Sequence, residues 1–531
     1  MSGDTITADM ESLPDRIAET FSGLKLLVTG GTGFMGKVLV EKLLRKCPDI
    51  GQIYLLVRPK KGKNPTQRLE EIFNGALFEI VRNLRGGTKA LLEKVTIING
   101  DASAPDLAIS ALDRKLIIDT VDIIIHAAAT VRFDEELKKA VLLNVRGTKL
   151  VVQLAKECKK LQLFIHISTA YCHLHEKLLE EKPYPPPANP HNIIHAMEWM
   201  DDETIAAITP KLLNNIPNSY AFTKALGESL VVEAMGEIPA MILRPSIVIP
   251  IWRDPVPGWT DNINGPTGLL IGAGKGVIRS MYCKSNSYAD YLPVDVFING
   301  IMIVAWNYLK QGDKTSNVIN FTSSAEIKVT WSELIESGRE IIMNRVPLNG
   351  VVIAPLFSRW RLSFYLCRVQ RRINKGFEVF EYYTNNQWDF KSDIAQQVRS
   401  KLNARERQAY KVDSVGVDIS KYFEDCIRAA RIYILKEFDD TLPAARRHMR
   451  GNTPIFLIFR QHFLGSLVKL FSYIFIYNII VFIFSMYWVD VITRCVFWGL
   501  ILYWLSGFVM SPGTSTVLEP SVSPTVVAMD A

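Results

Sequence analysis

The stretch TGGTGFMGKVLVEKLLR, residues 29–45, is the strongest indication of the fold in this chain. It follows a short apolar run, Lys25–Val28, that is typical of a buried strand. From Lys37 onward the polar residues recur with a period of about 3.6 residues, which predicts an amphipathic helix. The apolar face of that helix carries Val38, Leu39, Leu43 and Leu44. The stretch therefore predicts a strand, a glycine-rich turn and a helix.

Three glycines of the turn, Gly30, Gly33 and Gly36, have the spacing of a dinucleotide fingerprint. In a Rossmann unit such glycines allow a sharp turn, a close approach of the backbone to a pyrophosphate, and close packing of helix on strand. The helix N-terminus then faces the phosphates. Glycine-rich turns also occur for packing alone, so the dinucleotide interpretation depends on the rest of the chain.

The end of the next predicted strand, Gln52–Val57, indicates which dinucleotide is bound. An NAD site carries an Asp or Glu at this point for the ribose hydroxyls. Here the chain continues with Arg58, Pro59, Lys60 and Lys61. Cations suit a 2′-phosphate through charge-assisted hydrogen bonds, so NADPH is the predicted cofactor. A solvated basic loop is the alternative for the two lysines.

Apolar runs alternate with helical patterns along the first half of the chain. Further predicted strands are Val95–Ile98, Val121–Ile125, Leu163–Ile167 and Met241–Leu243. This alternation predicts an α/β fold with a Rossmann-type, doubly wound parallel sheet.

Two predicted strand ends carry residues that could meet the cofactor. Asp101, in NGDAS, is placed for the adenine side, and HAAAT, residues 126–130, offers small residues such as Ala127 where a backbone passes close to a ligand. Ordinary loop chemistry is the alternative for both.

Composition excludes several classes of protein. The net charge is +7 and the basic residues are scattered among 531 residues, so we expect no nucleic-acid partner. The seven cysteines include no CxxC pair, which argues against a disulfide framework or a zinc site. His173 and His175 lack a third ligand at a suitable spacing, and we expect no metal.

Candidate chemistry appears in NSYAFTKALGE, residues 218–228. Tyr220 and Lys224 are one helical turn apart, so the ammonium can lie near the phenol and lower its pKa from about 10. The predicted strand Leu163–Ile167 ends in Ser168 and Thr169, and either hydroxyl could hold a carbonyl oxygen beside Tyr220. An isolated YxxxK match is common on helices. Here it follows a dinucleotide fingerprint and a strand that ends in Ser-Thr, and this combination indicates a catalytic pair.

Taken together, these residues resemble the extended short-chain dehydrogenase/reductase superfamily, and more specifically its alcohol-forming fatty acyl-CoA reductases. The resemblance covers about residues 20 to 450. It rests on the opening stretch and on the motifs HAAATVRFDEELKKAVLLNVRGTK, HISTAY, YAFTKALGE, LRPSIV, PGWTDNINGPTG, ADYLPVDV, EYYTNNQWDF and LPAARRHM.

The resemblance implies reduction of long-chain or very-long-chain fatty acyl-CoA by NADPH to a primary alcohol, a four-electron reaction through an aldehyde. It implies Tyr220 as proton donor, assisted by Lys224 and by Thr169, which the resemblance favours over Ser168. The expected cofactor contacts are Thr29, Gly30, Gly31, Thr32, Gly33, Phe34, Met35, Gly36, Arg58, Asp101, Ala127, Ser168, Lys224 and Pro245.

Two other functions are compatible with part of the pattern. A membrane-bound steroid-type or nucleotide-sugar dehydrogenase would share the fingerprint, Tyr220 and Lys224, but would use NAD and lack EYYTNNQWDF. A non-catalytic binding protein on the same fold would typically have lost Tyr220, Lys224 or the glycines.

The chain divides by composition into successive segments. They are a polar N-terminal segment 1–22 without the apolar core of a secretory signal, an NADPH-binding domain 23–250, substrate-side elements 251–345, a helical C-terminal domain 355–450, and a tail 511–531.

Between the C-terminal domain and the tail, a membrane anchor is predicted. Residues 471–489 carry no charge and span about 28 Å as a helix, enough for a bilayer core. Residues 495–510 could form a second or a re-entrant helix. Basic residues before the first span place the catalytic region in the cytosol: Arg446, Arg447, Arg450, Arg460 and Lys469. The endoplasmic reticulum membrane is the expected location, with the peroxisomal membrane as the alternative.

Overall fold

A seven-stranded sheet forms the centre of the computed structural model. The strands, numbered in chain order, are β1 Lys25–Thr29, β2 Gln52–Val57, β3 Val95–Asn99, β4 Ile123–His126, β5 Leu163–Ile167, β6 Ala240–Pro245 and β7 Val318–Phe321. The structure describes residues 11–59, 64–276, 278, 280–312, 314, 317–323, 326–348, 376–377, 380–451, 467, 469–478, 490–510 and 526–528.

All neighbouring strands of this sheet are parallel, in the order β7-β6-β5-β4-β1-β2-β3. The strand order reverses between β1 and β4, where Thr29 pairs with His126. In open α/β sheets, ligands bind outside the carboxyl ends of the strands at such a reversal. The topology therefore places a binding crevice directly after Thr29.

Both faces of the sheet are covered. Leu26 and Val28 of β1 belong to one buried apolar cluster, whereas Leu27 between them belongs to a second cluster. Because successive side chains of a strand point to opposite faces, the two clusters lie on opposite sides of the sheet. The predicted doubly wound parallel sheet is confirmed.

Helices connect the strands and continue beyond the sheet. In the first 345 residues the α-helices are Arg16–Thr20, Phe34–Lys46, Pro65–Phe73, Glu79–Arg85, Thr88–Glu93, Ala111–Thr120, Leu137–Val141, Gly147–Glu157, Pro190–Trp199, Asp202–Leu213, Ser219–Ala234, Pro266–Gly274, Val294–Lys310 and Trp331–Glu340. Later α-helices are Asp393–Ser400, Ala404–Ala409, Ile419–Ala429, Leu442–Gly451 and Asp490–Met510. Short 3₁₀ segments are Ala76–Phe78, Pro105–Ala108 and Asp439–Thr441, and π-helical segments are Leu142–Arg146, Ile341–Arg345 and Ala430–Ile434.

Short strand pairs join regions that are distant in sequence. They are Ile247–Ile249 with Tyr291–Pro293, Tyr288–Ala289 with Val329–Thr330, Leu178–Leu179 with Asp389–Phe390, and Ser280–Tyr282 with Val526–Ala528. The third pair links the reductase region to the C-terminal region.

The N-terminal segment also contacts the C-terminal region. Arg16 donates to Glu406 with its Nη2 atom at 2.6 Å, and its neighbour Ile17 is fully buried. Residues 11–22 are therefore packed on the rest of the molecule.

One predicted strand begins later than expected. The apolar run Val121–Ile125 predicts a strand, but β4 begins at Ile123. Val121 instead ends the preceding helix, with its N–H donating to the Ile117 carbonyl at 3.0 Å. The apolar character of Val121 therefore reflects packing at a helix end.

Part of the predicted C-terminal organisation lies outside the described residues. This applies to 355–375 of the helical domain and to 479–489 of the expected membrane span, and also to Lys60 and Lys61. Residues 469–478 are helical and Asp490–Met510 form a helix. Over the part of the chain that the structure describes, no helix has both the length and the apolar character needed to cross a bilayer.

Candidate active site

The glycine-rich turn after β1 admits no side chain at two of its positions. Gly30 has φ +74°, and a Cβ built on it would lie 2.7 Å from the carbonyl carbon of Ala127. A Cβ on Gly36 would lie 2.2 Å from the Gly30 carbonyl oxygen. Gly33 caps the helix Phe34–Lys46 without a side-chain hydrogen bond. The N-terminal amides of that helix therefore face the crevice without a competing side chain, which fits a dinucleotide pyrophosphate.

Thr29 and His126 hold the two central strands together below this turn. The Thr29 hydroxyl lies 2.8 Å from His126 Nδ1 and accepts from the Ala128 N–H at 3.1 Å. His126 Nε2 lies 3.0 Å from the Thr148 hydroxyl. Burial, together with the charge of Lys224, lowers the pKa of His126 to about 3, so the ring is neutral. The Thr29 side chain, an expected cofactor contact, is thus engaged within the protein.

Two arginines flank the expected adenine side of the crevice. Arg58 directly follows β2, and its Nε lies 3.8 Å from Asp101 Oδ2 after β3. Arg68 donates to the Thr32 hydroxyl of the glycine-rich turn at 3.0 Å. Asp101 also accepts from the Ser103 N–H at 2.9 Å, so it shapes its own loop. Sequence reasoning missed Arg68, which belongs to no motif and reaches the turn only through the fold.

The predicted Thr, Tyr and Lys come together at the carboxyl end of β5. Tyr220 and Lys224 lie one turn apart on the helix Ser219–Ala234, and Thr169 follows β5 by two residues. The Thr169 side chain interacts with the Tyr220 phenol. Lys224 Nζ donates to the Ile167 carbonyl at 2.6 Å. A carbonyl oxygen placed between the two hydroxyls could accept from both.

The electrostatics of this group differ from the sequence expectation in one respect. Burial raises the pKa of Tyr220, and the hydrogen bond with Thr169 is what opposes that rise. The expected lowering of the phenol pKa by Lys224 is not found, because the Lys224 ammonium is turned to the Ile167 carbonyl. Burial lowers the pKa of Lys224 itself to about 8, against the opposing charge of Glu228.

Ser168 and Thr169 point to different partners. The Ser168 hydroxyl lies 3.9 Å from Cys172 Sγ, and its N–H donates to the Leu243 carbonyl at 2.8 Å. Pro245, at the end of β6, accepts from the Ala170 N–H at 2.8 Å. Of the two hydroxyls, the one that lowers the pKa of Tyr220 is that of Thr169.

A buried ion pair lies one turn beyond Lys224. Glu228 accepts from Arg244 Nε at 2.8 Å and from Arg244 Nη2 at 2.7 Å, and His173 Nε2 lies 3.1 Å from the same carboxylate. The cations and hydrogen bonds hold the pKa of Glu228 well below its usual range although burial raises it. Sequence reasoning missed this pair; its signal was a Glu four residues after Lys224.

The same group contains three potential metal ligands. Ligand atoms of Cys172, His173 and Glu228 lie within 4.8 Å of one another. Arg244 already engages both carboxylate oxygens, so the ion pair explains the arrangement. His175, considered with His173 in the sequence, is exposed and lies 3.7 Å from Glu176.

Asn144 is a further residue that the sequence did not reveal. It lies in the π-helical segment Leu142–Arg146, accepts from the Thr130 N–H at 2.9 Å and donates to the Thr223 hydroxyl at 3.0 Å. Asn144 thereby ties the loop after β4 to the helix that carries Tyr220.

An apolar pocket, called the cavity below, lies between the short strand Ile247–Ile249 and the helix Ile419–Ala429. Its wall includes Ile249, Leu270, Tyr291, Tyr422, Phe423 and Ile427. Ile247 packs against the cluster that contains this wall and also against the aromatic cluster beside Thr169. Ile247 therefore connects the packing around the cavity with the aromatic cluster beside Thr169.

Comparison with known proteins identifies the family. The chain matches the family described as Male sterility protein over residues 28–301 and again over 356–437. Fatty acyl-CoA reductase 1 of Rattus norvegicus is 37% identical over 461 residues, covering 82% of this chain and 89% of the relative. The chain belongs to the fatty acyl-CoA reductase family. Fatty acyl-CoA reductase 2 of Bos taurus is 35% identical over 83% of this chain and 92% of its own length, and fatty acyl-CoA reductase wat of Drosophila melanogaster is 34% identical over 79% and 85%.

As a fatty acyl-CoA reductase, the chain is an oxidoreductase with a nicotinamide-cofactor domain, and the predicted enzyme class is confirmed. Solved structures agree on the fold. The terminal R domain from the myxalamid PKS-NRPS pathway has a TM-score of 0.55 at 18% identity and covers 81% of this chain and 98% of its own. A reductase domain of a Mycobacterium tuberculosis nonribosomal peptide synthetase has a TM-score of 0.52 at 18% identity, covering 81% and 99%.

Proposed function

We propose that this reductase converts long-chain or very-long-chain fatty acyl-CoA to the primary alcohol with NADPH. The observation that carries the proposal is the interaction of the Thr169 side chain with the Tyr220 phenol at the carboxyl edge of the sheet, where the glycine-rich turn also lies. Family membership supplies the substrate class, because the relatives named above are fatty acyl-CoA reductases.

The proposed reaction needs a hydride donor, groups that hold the carbonyl oxygen, and a proton donor. When bound along the turn Gly30–Gly36, NADPH supplies the hydride. The Thr169 and Tyr220 hydroxyls hold the thioester carbonyl oxygen, and Tyr220 gives its proton as negative charge develops there. Loss of CoA as the thiol leaves an aldehyde. A second hydride and proton reduce the aldehyde to the alcohol, so two NADPH provide four electrons.

The preference for NADPH over NADH rests on Arg58 and Arg68. Both lie on the expected adenine side of the crevice. Arg58 directly follows β2, and Arg68 donates to the Thr32 hydroxyl. Guanidinium groups bind phosphate through paired, charge-assisted hydrogen bonds. A 2′-phosphate therefore gains contacts here that a 2′-hydroxyl does not.

We place the acyl chain in the apolar cavity. The strand Ile247–Ile249 starts two residues after Pro245, and four residues of extended chain from Pro245 to Ile249 span about 13 Å. A chain that enters beside Thr169 can therefore reach the cavity wall at Ile249. Each methylene group buried there is worth about 0.8 kcal/mol, which favours long acyl chains.

The test is a product assay on membranes from cells that express the full chain. Acyl-CoAs of several lengths are supplied with NADPH or NADH, and Tyr220→Phe is the key variant. We expect alcohol from NADPH and a loss of about 100- to 10,000-fold in the variant, because general acid catalysis contributes about that much. Tyr54→Phe, which removes a phenol on β2 far from Thr169, is the matched control. Aldehyde as the end product would mean that the reaction transfers two electrons rather than four. No product from any acyl-CoA would contradict the proposal.

We further propose that the C-terminal helices anchor the enzyme in a lipid membrane, with the catalytic region in the cytosol and the endoplasmic reticulum as the location. Large apolar side chains are exposed on residues 469–478 and on Asp490–Met510; Phe475 is 67% exposed and Trp498 is 60% exposed. The two helices contact each other, since the rings of Tyr477 and Phe497 stack at 3.9 Å. Exposed apolar side chains grouped on two helices are unfavourable in water and suit lipid.

Membrane fractionation of the full chain tests the anchor. We expect the protein in the pellet after washes with high salt and alkaline carbonate, and in solution after detergent. Phe475→Arg should release part of it, because Arg at the centre of a membrane helix costs about 3 kcal/mol. Leu112→Arg, at another exposed apolar position, is the control. Recovery of the unmodified chain in the alkaline wash would contradict the proposal, and a protease-protected catalytic region would contradict the orientation.

A further inference from the structure

Tyr383 comes from the C-terminal region but lies beside the catalytic helix. It belongs to the motif EYYTNNQWDF, within helical residues 380–385, and is buried against the reductase domain. Its phenol oxygen accepts a hydrogen bond from Asn218 Nδ2 at 2.8 Å. The residues concerned are 165 positions apart in the chain, so only the packing of the two regions brings them together.

Asn218 is the N-cap of the helix Ser219–Ala234. Its Oδ1 atom accepts from the Ala221 N–H at 2.9 Å, as an N-cap side chain does. Because Oδ1 is used by the cap, the amide nitrogen is the atom that faces Tyr383. The bond to Tyr383 therefore fixes the rotation of the Asn218 amide, two residues before Tyr220.

Aromatic contacts reinforce the same connection. The Phe133 ring lies between the Tyr220 ring at 5.6 Å and the Tyr383 ring at 5.3 Å, measured between centroids. Tyr383 also meets the edge of Tyr171, two residues after Thr169, at 5.9 Å. Tyr383 thus contacts both segments that supply the Thr169–Tyr220 pair.

We propose that Tyr383 is a positioning residue for the reduction: its phenol oxygen orients the Asn218 cap and so sets the Tyr220 phenol against Thr169. The C-terminal region is then part of the active site. The inference rests on the proposed function, since it assigns Tyr383 an effect on proton donation by Tyr220. It assigns Tyr383 no contact with substrate.

Tyr383→Phe tests this with little change in packing, since the ring remains. We expect kcat to fall at least about 10-fold, because misplacing a reacting group by about 1 Å can cost on the order of 100-fold. KM for acyl-CoA, NADPH binding and the melting temperature should stay near the values of the unmodified enzyme. Tyr382→Phe is the matched control: it removes the neighbouring phenol, whose ring contacts Tyr383 and Trp388.

A double-mutant cycle separates positioning from a general structural role. Asn218→Ser keeps a good N-cap but removes the amide that donates to Tyr383. We expect Asn218→Ser to lower kcat as Tyr383→Phe does, and the double variant to lose no more than either single one. Full additivity of the two losses in kcat would overturn the inference. An unchanged kcat in Tyr383→Phe would also overturn it. So would a fall in kcat that is accompanied by equal falls in NADPH affinity and in melting temperature.

The assay is run on the full chain in membranes, with an acyl-CoA and, in parallel, the corresponding long-chain aldehyde. An active unmodified enzyme whose Tyr383→Phe variant is equally active overturns this inference alone. An unmodified enzyme that binds NADPH but reduces neither substrate overturns the proposed function and this inference with it.

Discussion

Lys224 shows at the scale of one residue how burial sets the chemistry. Its ammonium is buried, its Nζ donates to the Ile167 carbonyl, and the desolvation lowers the pKa to about 8. Glu228, one turn further on, opposes this shift but is itself bound by Arg244. The charge of Lys224 is therefore sensitive to pH in the range where the enzyme is assayed.

The pH dependence of kcat follows from this shift. Lys224 loses its proton as pH rises through about 8, so a reaction that needs the ammonium should slow above that pH. In Lys224→Arg the cation cannot be lost at any accessible pH. We expect a decline in kcat above about pH 8 for the unmodified enzyme and a flatter profile, from a lower maximum, for the variant. The measurement is kcat between pH 6 and 10, and an identical decline in both proteins would assign it to another group.

The glycine-rich turn is the element in which local geometry and ligand binding depend most closely on each other. A side chain at Gly36 would clash with the Gly30 carbonyl oxygen. This oxygen belongs to the backbone, so it cannot relieve the clash by a side-chain rotation. The turn and the start of the helix Phe34–Lys46 would both have to shift. Binding of the dinucleotide at the helix N-terminus depends on that placement.

Gly36→Ala should therefore weaken NADPH binding by at least about 10-fold. The reason is that the loss of one hydrogen bond to a charged phosphate costs about 1.5–3 kcal/mol. Fluorescence titration with NADPH measures the effect directly. Gly236→Ala is the control, because a Cβ on Gly236 has nothing within 4 Å. Equal affinity of Gly36→Ala and the unmodified protein would show that the turn can move without cost.

At the scale of the whole molecule, the C-terminal region packs against the reductase region in two places. Tyr383 reaches the N-cap of the catalytic helix, and the helix Ile419–Ala429 walls the apolar cavity. Tyr422 of that helix donates to the Pro250 carbonyl at 2.7 Å, which fixes the helix to the chain after β6. The cavity thus exists only when both regions are packed together.

Ala430, at the end of this wall, offers a test of chain-length selection. Ala430→Leu adds bulk to the cavity, and overpacking of this kind costs about 1–3 kcal/mol. We expect kcat/KM for the longest acyl-CoA to fall about 10-fold, with little change for a short one. The ratio of the two values is the measurement, since a folding defect would lower both. Ala429→Leu, a buried neighbour outside the cavity wall, is the control, and an unchanged ratio in Ala430→Leu would place the acyl chain elsewhere.

The elements that depend on local pattern can be predicted from the amino-acid sequence. Residues 29–45 predicted a strand, a turn and a helix, and the runs Gln52–Val57 and Leu163–Ile167 form strands with the expected bounds. Hydrophobic periodicity is a local signal, and so is glycine at a position where two backbone segments come close together. Both signals extend over a few residues and can therefore be read from a single sequence. The same is true of Tyr220 and Lys224, whose spacing of one turn already placed them on one face of a helix.

Contacts between distant residues depend instead on how the chain packs in three dimensions. The choice of Thr169 rather than Ser168 as the partner of Tyr220, the ion pair of Glu228 with Arg244, and the contact of Arg68 with Thr32 all depend on how separate segments pack. The turn of Lys224 to the Ile167 carbonyl and the bond of Tyr383 to Asn218 depend on it as well. Spacing along the chain fixes neither the rotamer of a side chain nor the desolvation that shifts a pKa, because both arise from atoms that only the fold brings near.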